Sequence, residues 1–485
     1  MVQFKSALAA GALLASAANA VTPVVVDGSD FVNAISGARF QMIGVAYQPG
    51  GAAGFDPGSG VDPLSDEAVC LRDAILMQRA GINTVRIYNL DPEIDHTACM
   101  SIFNAAGIYL VLDVNSPLPN ESINRAAPWE SYNEDYMRRV FQIIEAFKNF
   151  PNTLGFFSAN EVINEESDPS VPSYIRAVTR DIKDYISAHS ERYIPVGYSA
   201  ADVRPLLADT FNYLGCELEN STASKMDFFG LNSYSWCGDA TFEEAGYDIL
   251  VEEFSGAHVP VFFSEYGCNE VKPRTFTEVG SIYSTPMSGV FSGGLVYEYS
   301  EEPNEYGLVV INEDNSIELK QDYLNLVDQY AQIDLEALTA ANGTATGLEA
   351  PICESSMITS NLTNSFDVPE RLPEVQDLID NGVGGTWPTG VAEVSNTAEV
   401  ATVTGPDGNE LTGLELRILA EDQSNLPGEN TSGTDGDGGP GLTKPSTTSS
   451  GSGSSQTGSS AASSSKVNVG AIVLAGLTLG VWAQL

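Results

Sequence analysis

Eight short segments rich in Val, Ile, Phe and Tyr alternate along this chain with stretches of helical periodicity. The clearest helical stretch follows Asn133, where apolar residues recur three or four positions apart: Tyr136, Val140, Ile143, Ile144 and Phe147. The apolar segments have the composition of buried strands. They are Phe40–Gln48, Thr84–Leu90, Ile108–Asn115, Leu154–Glu161, Tyr193–Ala200, Asp227–Ser235, Pro260–Gly267 and Gly294–Ser300.

Strands that alternate with helices in this way predict an α/β fold, specifically a (β/α)8 TIM barrel at residues 21–335. A doubly wound open sheet is the rival architecture. That rival is disfavoured because no glycine-rich phosphate loop follows the first strand.

Beyond residue 335 the alternation stops. The segment PEVQDLI at residues 373–379 predicts a helix, and the segment at residues 401–419 predicts a hairpin around Asp407 and Gly408. We expect either a small β-rich appendage at residues 336–424 or a poorly ordered segment. A stalk rich in Ser, Thr and Gly is expected at residues 425–462.

Both ends of the chain have the composition of processing signals. Residues 1–20 carry Lys5, an apolar stretch and the small-x-small site Ala18-Asn19-Ala20, which is typical of a secretory signal peptide rather than a buried helix. Residues 463–485 end in an apolar tail behind small residues and a polar spacer. This pattern favours a GPI-attachment signal over a tail-anchored transmembrane helix, with attachment between Gly451 and Ala462.

Charge and cysteine content restrict the class of protein further. Acidic residues outnumber basic ones 65 to 22, and the net charge of −43 argues against nucleic-acid binding. Six cysteines in an exported chain predict three disulfides, with the pairing left open by spacing alone. The sequons permit N-glycosylation at Asn120, Asn220, Asn342, Asn361 and Asn430.

Active-site groups of a TIM barrel project from the C-terminal ends of its strands. The fourth predicted strand ends in Asn160 and Glu161, and the seventh ends in Glu265 and Tyr266. The other strand ends offer Tyr47, Gln48, Tyr88, Asp113, Tyr234, Tyr297 and Tyr299.

Two carboxyl groups that face each other can break a glycosidic bond, one protonating the leaving oxygen and the other attacking the anomeric carbon. Tyrosine rings can stack on sugars. The adjacent Tyr266 could keep Glu265 ionised, while a less polar pocket could keep Glu161 protonated.

Each of these features also has a purely structural interpretation. A glutamate after a strand often caps it, the tyrosines could pack at the rim, and Asp113 could cap the next segment. Glu265 is the stronger candidate, because a carboxylate after a fully apolar run is costly without a purpose. The three histidines lie outside the predicted strand ends and are expected on the surface or in loops: His96, His189 and His258. A catalytic triad or a histidine-rich metal site would therefore lack parts.

Seven segments resemble the fungal GPI-anchored β-1,3-glucanosyltransferases, glycoside hydrolase family 72. They are GVAYQPGG, RIYNLDP, LDVNSP, SANEVIN, LNSYSWCG, FFSEYGCN and VYEYSEEPNEYGLV, and the match runs from about Val24 to Leu335. The resemblance implies a retaining enzyme with Glu161 as acid/base and Glu265 as nucleophile. It implies no metal and no organic cofactor.

The resemblance also implies substrate contacts. Asn160 would contact the 2-hydroxyl of the donor sugar, and the donor glucan would lie at Tyr88, Asn115 and Tyr299. The acceptor side would include Asp202 and Arg204. Gln48, Asp113 and Tyr234 complete the expected substrate-binding set.

Three further properties follow from the resemblance. The disulfides would be Cys70–Cys99, Cys216–Cys353 and Cys237–Cys268. The chain would be of the type without a cysteine-rich carbohydrate-binding module. It would elongate β-1,3-glucan at the outer face of the plasma membrane or in the cell wall; the alternatives are a β-1,3-glucan hydrolase and an inactive glucan-binding wall protein.

Overall fold

The computed structural model describes residues 20–51, 54–164, 169–219, 221–340, 347–363 and 365–435. The expected signal peptide (apart from Ala20), the GPI signal and most of the expected stalk lie outside these described residues. So do the sequons at Asn220 and Asn342.

A small antiparallel sheet begins the fold. It comprises β1 (Val24–Asp27), β2 (Asp30–Asn33) and β3 (Arg39–Phe40). Phe31 of β2 packs against Phe228 and Phe262, with ring centroids 5.8 and 5.9 Å apart. The sheet therefore covers the apolar interior of the domain that follows.

Eight parallel strands close into a barrel, which confirms the predicted (β/α)8 fold and excludes the open sheet. All eight predicted segments contribute a strand, and the last strand pairs with the first. The strands are β4 (Met42–Ala46), β5 (Thr84–Ile87), β6 (Tyr109–Asp113), β7 (Thr153–Asn160), β8 (Val196–Ala201), β9 (Phe228–Asn232), β10 (Val261–Tyr266) and β11 (Phe291–Val296).

Helices connect the strands of the barrel, and further helices follow its last strand. The bounds are α1 (Glu67–Arg79), α2 (Thr97–Ala105), α3 (Pro128–Ser131), α4 (Glu134–Phe147), α5 (Val171–His189), α6 (Arg204–Gly215), α7 (Tyr247–Phe254), α8 (Glu278–Ile282), α9 (Thr285–Ser288), α10 (Gln321–Tyr330), α11 (Leu335–Ala340) and α12 (Pro373–Asn381). The predicted helix after Asn133 is α4, whose first turn is capped by the Asn133 side chain accepting from the Tyr136 N–H. No helix in the described ranges combines the length and apolar character that crossing a membrane requires.

The segment after the barrel forms a second sheet from β12 (Val309–Ile311), β13 (Ile317–Leu319), β14 (Val403–Thr404), β15 (Glu410–Thr412) and β16 (Thr434–Asp435). The predicted hairpin is β14–β15, with Gly408 at φ +81° in its turn, and the predicted helix is α12. Because β14 pairs with β13, the appendage continues a sheet that starts directly after the barrel.

The ordered fold extends further than the sequence predicts. Asn425 is buried, and its side-chain amide donates to the carbonyls of Gln78 (2.9 Å) and Ile82 (2.8 Å). The Asn430 amide donates to Gln78 Oε1 (2.7 Å) and to the Glu415 carbonyl (2.9 Å). Residues 425–435 are therefore part of the fold rather than of a stalk, and the sequon at Asn430 is buried.

All six cysteines are paired in disulfides. The three disulfides implied by the resemblance are all present, with Cα–Cα distances of 5.4, 5.0 and 5.1 Å: Cys70–Cys99, Cys216–Cys353 and Cys237–Cys268.

Two of the histidines lie in loops, as expected, but they are buried rather than on the surface. His96 is buried against Asp62, and His258 is buried with its Nε2 at 2.8 Å from the Gly215 carbonyl. His189 is partly buried, at the end of α5.

The barrel interior changes from apolar to polar along its axis. Phe157, Phe228 and Phe262 pack together inside it, and Gly197 makes room for them, since a Cβ there would lie 2.2 Å from the Phe228 ring. The guanidinium of Arg86 lies over the Phe157 ring at 4.5 Å. Polar side chains begin at this level and continue to the C-terminal ends of the strands.

Candidate active site

Arg86 organises the floor of the site. It is completely buried on β5, where alternation turns its side chain into the barrel. Its Nε and Nη2 bind the two carboxylate oxygens of Asp113 at 3.1 and 2.9 Å, and Nη2 also donates to Asn160 Oδ1 at 3.0 Å. Its Nη1 donates to Glu265 Oε1 at 3.2 Å. One buried cation thus connects the ends of strands β6, β7 and β10.

Glu265, on β10, receives three hydrogen bonds. Besides Arg86, the Tyr88 hydroxyl donates to Oε1 at 3.0 Å and the Tyr234 hydroxyl donates to Oε2 at 2.7 Å. Burial raises the pKa values of Tyr88 and Tyr234 well above their ordinary value, and the charge of Glu265 adds to the effect. Both hydroxyls therefore stay protonated and act as donors to the carboxylate.

Glu161 follows β7 directly and turns toward the same space. Its backbone adopts φ +49°, and its N–H donates to the Ser199 carbonyl at 2.8 Å. The Asn232 amide donates to Glu161 Oε1 at 2.9 Å and to Asn160 Oδ1 at 3.1 Å. The partly exposed Glu161 is thus connected to the buried Glu265 through Asn232 and Arg86.

The burial of the two glutamates differs from the expectation, which placed Glu161 in the less polar pocket. Glu265 is the buried group: burial raises its pKa to about 7, Arg86 and the two tyrosines oppose the rise, and the charge of Glu161 adds to it. Glu161 is only partly buried. The adjacent Tyr266 does not contribute, because its buried hydroxyl lies 3.0 Å from that of Tyr330.

Two other predicted residues hold their neighbours in place. Gln48 Oε1 accepts from the backbone N–H groups of Tyr88 (3.2 Å) and Asn89 (3.0 Å). Asn115 donates to the Ser158 carbonyl at 2.8 Å and accepts from the Tyr136 hydroxyl at 2.6 Å. Both side chains are therefore fixed near the strand ends.

Asp113 is a partner of Arg86. Burial raises its pKa, although the guanidinium opposes the change. Its two oxygens fix the orientation of Arg86 below Glu265.

The structure corrects the expectation for Tyr299. This residue is 1% exposed, and its hydroxyl donates to Asp73 Oδ1 at 2.9 Å, beside Tyr47, which donates to Oδ2 at 2.7 Å. Tyr297 lies near Glu265 instead, with its ring centroid 6.3 Å from those of both Tyr88 and Tyr234. The strand β11 ends at Val296, so Tyr299 lies beyond the strand although the predicted segment Gly294–Ser300 includes it.

Comparison with known proteins fits this geometry. Residues 13–334 match the glucanosyltransferase family, glycoside hydrolase 72. The chain belongs to this family. It is 54% identical over 422 residues to 1,3-beta-glucanosyltransferase gel2 of Aspergillus fumigatus, covering 87% of this chain and 88% of the relative.

Two yeast proteins extend the comparison. The chain is 46% identical over 400 residues to the probable 1,3-beta-glucanosyltransferase GAS3 of Saccharomyces cerevisiae, covering 78% of this chain and 76% of the relative. The solved structure of Saccharomyces cerevisiae Gas2p in complex with laminaripentaose is similar, with a TM-score of 0.65 and 37% identity, covering 73% of this chain and 78% of that one.

In this member of the glucanosyltransferase family, Asp202 and Arg204 form an ion pair beyond the end of β8. Asp202 Oδ2 also accepts from the Ser233 hydroxyl at 2.7 Å, which connects the pair to the end of β9. The disulfide Cys237–Cys268 joins the loops after β9 and β10. Cys237 lies three residues after Tyr234 and Cys268 lies three residues after Glu265, and these two site residues are hydrogen-bonded to each other. The two loops that flank the site are therefore cross-linked.

Sequence reasoning missed Arg86 and Asn232, the two residues that connect the carboxyl groups. Asn232 Oδ1 accepts from Arg86 Nη1 (3.4 Å) and from the hydroxyls of Ser199 (3.1 Å) and Ser264 (2.8 Å). Both residues carry a signal in the sequence: a charged or amide side chain in an otherwise apolar strand, two positions before a site tyrosine.

Proposed function

We propose that the protein is a retaining β-1,3-glucanosyltransferase. The observation that carries the proposal is the pair of glutamates at the ends of β7 and β10. Glu265 receives three donors suited to a carboxylate, and the partly exposed Glu161 is held beside it by Asn232. Family membership and the likeness to a structure with bound laminaripentaose support the same substrate class.

In the first step Glu265 attacks the anomeric carbon of an internal β-1,3 linkage, and Glu161 donates its proton to the departing oxygen. The departing segment leaves with its new 3-hydroxyl, and the retained segment forms an ester with Glu265. The three donors at Glu265 favour its ionised form, which is the form that attacks.

In the second step the 3-hydroxyl at the non-reducing end of another glucan gives its proton to Glu161 and attacks the anomeric carbon that is bound to Glu265. The C–O bond to Glu265 breaks, and a longer β-1,3-glucan is released. The alternative is a hydrolase, in which water attacks the same ester. An inactive glucan-binding protein is the third hypothesis.

The first test incubates the folded domain with a reduced β-1,3-gluco-oligosaccharide of defined length and sizes the products over time. We expect products longer than the substrate. Exclusively shorter products would identify a hydrolase, and an unchanged substrate would support the binding protein.

A second experiment separates the two carboxyl roles. The substrate is an aryl glycoside of a β-1,3-gluco-oligosaccharide, whose aryl group is a good leaving group and departs without being protonated. Glu161→Gln should therefore retain the initial release of the aryl group, whereas Glu265→Gln should lose it. Glu145→Gln is the matched control, because Glu145 is a buried carboxylate of α4 that pairs with Lys148. Loss of the release in Glu161→Gln but not in Glu265→Gln would reverse the assignment.

We further propose export, GPI attachment between Gly451 and Ala462, and action at the outer face of the plasma membrane or in the wall. The composition of the two chain ends supports this placement. Phosphatidylinositol-specific phospholipase C should release the protein from intact cells, with Val21 as the first residue. Retention in the membrane after treatment would refute the lipid anchor. The lack of a cysteine-rich carbohydrate-binding module stays a prediction.

A further inference from the structure

Arg274 is a buried cation that lies beside the proposed catalytic centre but contacts neither Glu161 nor Glu265. It lies in the loop after β10 and is 2% exposed. Its Nε donates to Asp322 Oδ1 at 2.8 Å, on the outer helix α10. Burying an ion pair is costly, and a single partner leaves most of the guanidinium donors for other acceptors.

Those donors bind backbone carbonyls at the ends of two barrel strands. Nη1 donates to the carbonyls of Tyr297 (2.7 Å) and Gly267 (3.3 Å), just after β11 and β10. Nη2 donates to the carbonyls of Tyr306 (2.5 Å) and Gly307 (3.5 Å), on the returning side of the loop after β11. A planar fork can bind several carbonyls at fixed positions, which a lysine ammonium cannot reproduce.

The loop held in this way carries an aromatic wall. The ring centroids of Tyr297 and Tyr306 are 5.4 Å apart, and that of Tyr306 is 5.6 Å from that of Tyr234. Arg274 also lies over the Tyr306 ring at 5.8 Å. The wall thus packs against Tyr234, which donates to Glu265.

We propose that Arg274 is a positioning residue: by clamping the carbonyls of Tyr297 and Tyr306, it holds this aromatic wall against Tyr234 and so keeps the Tyr234 hydroxyl on Glu265. The proposal rests on the proposed function of the site. It assigns the loop after β10 a task in the reaction in addition to carrying the disulfide.

Glu265 provides the readout. The titratable and charged groups that act on it from the surrounding elements are Arg86, Glu161, Tyr88, Tyr234, Tyr297, Glu298 and Tyr306. Of these, only Arg86, Tyr88 and Tyr234 stabilise its ionised form by donating hydrogen bonds. If the wall moves and the Tyr234 bond weakens, the pKa of Glu265 rises further.

The experiment compares Arg274→Lys with Arg176→Lys. Arg176 lies on α5, is also completely buried and donates to the carbonyls of Tyr213 and Cys216, at the end of α6. Thermal unfolding, the pKa of Glu265 from carboxyl NMR without substrate (assigned with Glu265→Gln), and the pH profile of kcat/KM are measured for each.

We expect both variants to lose stability but only Arg274→Lys to raise the pKa of Glu265. The pKa of Glu265 should rise by about one unit, and the acidic limb of the kcat/KM profile should move to higher pH by the same amount. At a pH below that limb, kcat/KM should therefore fall about tenfold. The proposal is overturned if the pKa of Glu265 stays at the wild-type value in Arg274→Lys, or if it rises equally in Arg274→Lys and Arg176→Lys.

If Arg274→Lys does not fold, the test uses Asp322→Asn, because this variant weakens the ion pair that holds the Arg274 guanidinium but keeps the guanidinium itself. A rise in the pKa of Glu265 supports the proposal and no rise refutes it. The NMR arm needs no glucan. A wild-type protein that forms no transfer products would therefore refute the proposed function while leaving the test of Arg274 intact.

Discussion

Replacing Tyr234 by phenylalanine removes one oxygen atom and tests how Glu265 is kept ready to react. The Tyr234 hydroxyl donates to Glu265 Oε2 at 2.7 Å, and it is the one side-chain donor to that oxygen within the described residues. Arg86 and Tyr88 both donate to Oε1. In Tyr234→Phe, Oε2 therefore loses its donor while the ring and its packing remain.

The size of the effect follows from the charge on the acceptor. A hydrogen bond to an ionised group contributes about 1.5–3 kcal/mol, and a pKa unit corresponds to about 1.4 kcal/mol. The lost bond favours the ionised form, so its removal raises the pKa of Glu265 by about one to two units. Burial already holds this pKa at about 7. At a pH below the pKa of Glu265, the ionised fraction of this carboxyl group falls tenfold for each unit by which its pKa rises. Activity at acid pH should therefore fall about 10- to 100-fold in Tyr234→Phe.

The assay is the pH profile of kcat/KM for oligosaccharide transfer, which reports the free enzyme. The acidic limb should move to higher pH in Tyr234→Phe, and activity should recover toward that of the wild type above the new limb. Tyr299→Phe is the matched control, because it also removes a hydroxyl that donates to a buried carboxylate, that of Asp73. It should lower stability and leave the limb in place.

Two results would refute this reasoning. A uniform loss of activity at every pH would mean that Tyr234 acts on the substrate or the transition state rather than on the ionisation of Glu265. An equal displacement of the limb in Tyr299→Phe would mean that the change reflects a general loosening of the barrel.

The other predictions concern stability and modification. Asn232→Ala should lower the free energy of unfolding by about 3 kcal/mol, because it leaves several buried donors without an acceptor; urea unfolding measures this, and a change below about 1 kcal/mol would contradict it. Replacing Cys216 and Cys353 together by alanine should cost about 2–5 kcal/mol in thermal unfolding without moving the pH profile. Asn430→Ala should cost about 1–3 kcal/mol, since its amide is buried on Gln78, and should leave the glycan mass unchanged; a lost glycan would show that this segment is open when the chain is modified.

The barrel could be predicted because its strands are local signals. Each is a short run of residues that fits a buried pleated strand, and the eight runs are separated by helical periodicity. The ends of the strands were less certain. The segment Phe40–Gln48 contains parts of two strands, since Phe40 belongs to β3 of the first sheet and β4 begins at Met42. No turn residue marks that division, because Phe40, Gln41 and Met42 follow one another and are all buried.

The candidate site was predicted from the residues at strand ends, whereas Arg86, inside strand β5, was missed although alternation turns it into the barrel. Glu161 and Glu265 follow from strand ends in a barrel. Tyr299 was predicted at a strand end and assigned to the donor glucan by the family resemblance, but β11 ends at Val296 and the Tyr299 hydroxyl binds Asp73 of α1. Residues 425–435 look like a stalk by composition, but Asn425 and Asn430 satisfy buried groups near α1 that are more than 340 positions away in sequence.

The buried polar core of the site explains why composition alone could not find Arg86 and Asn232. A guanidinium and an amide inside a barrel are unfavourable unless every donor and acceptor has a partner. The residues of this network lie on six strands, β5 to β10, so the segment around Arg86 or Asn232 shows an unusual polar residue but not its partners. Their requirement for partners is also what aligns the strand ends: Arg86 cannot bind Asp113, Asn160 and Glu265 together unless β6, β7 and β10 end at the same level. The same hydrogen bonds that satisfy the buried groups thus fix the position of one carboxyl group relative to the other, and that position is what the proposed chemistry needs.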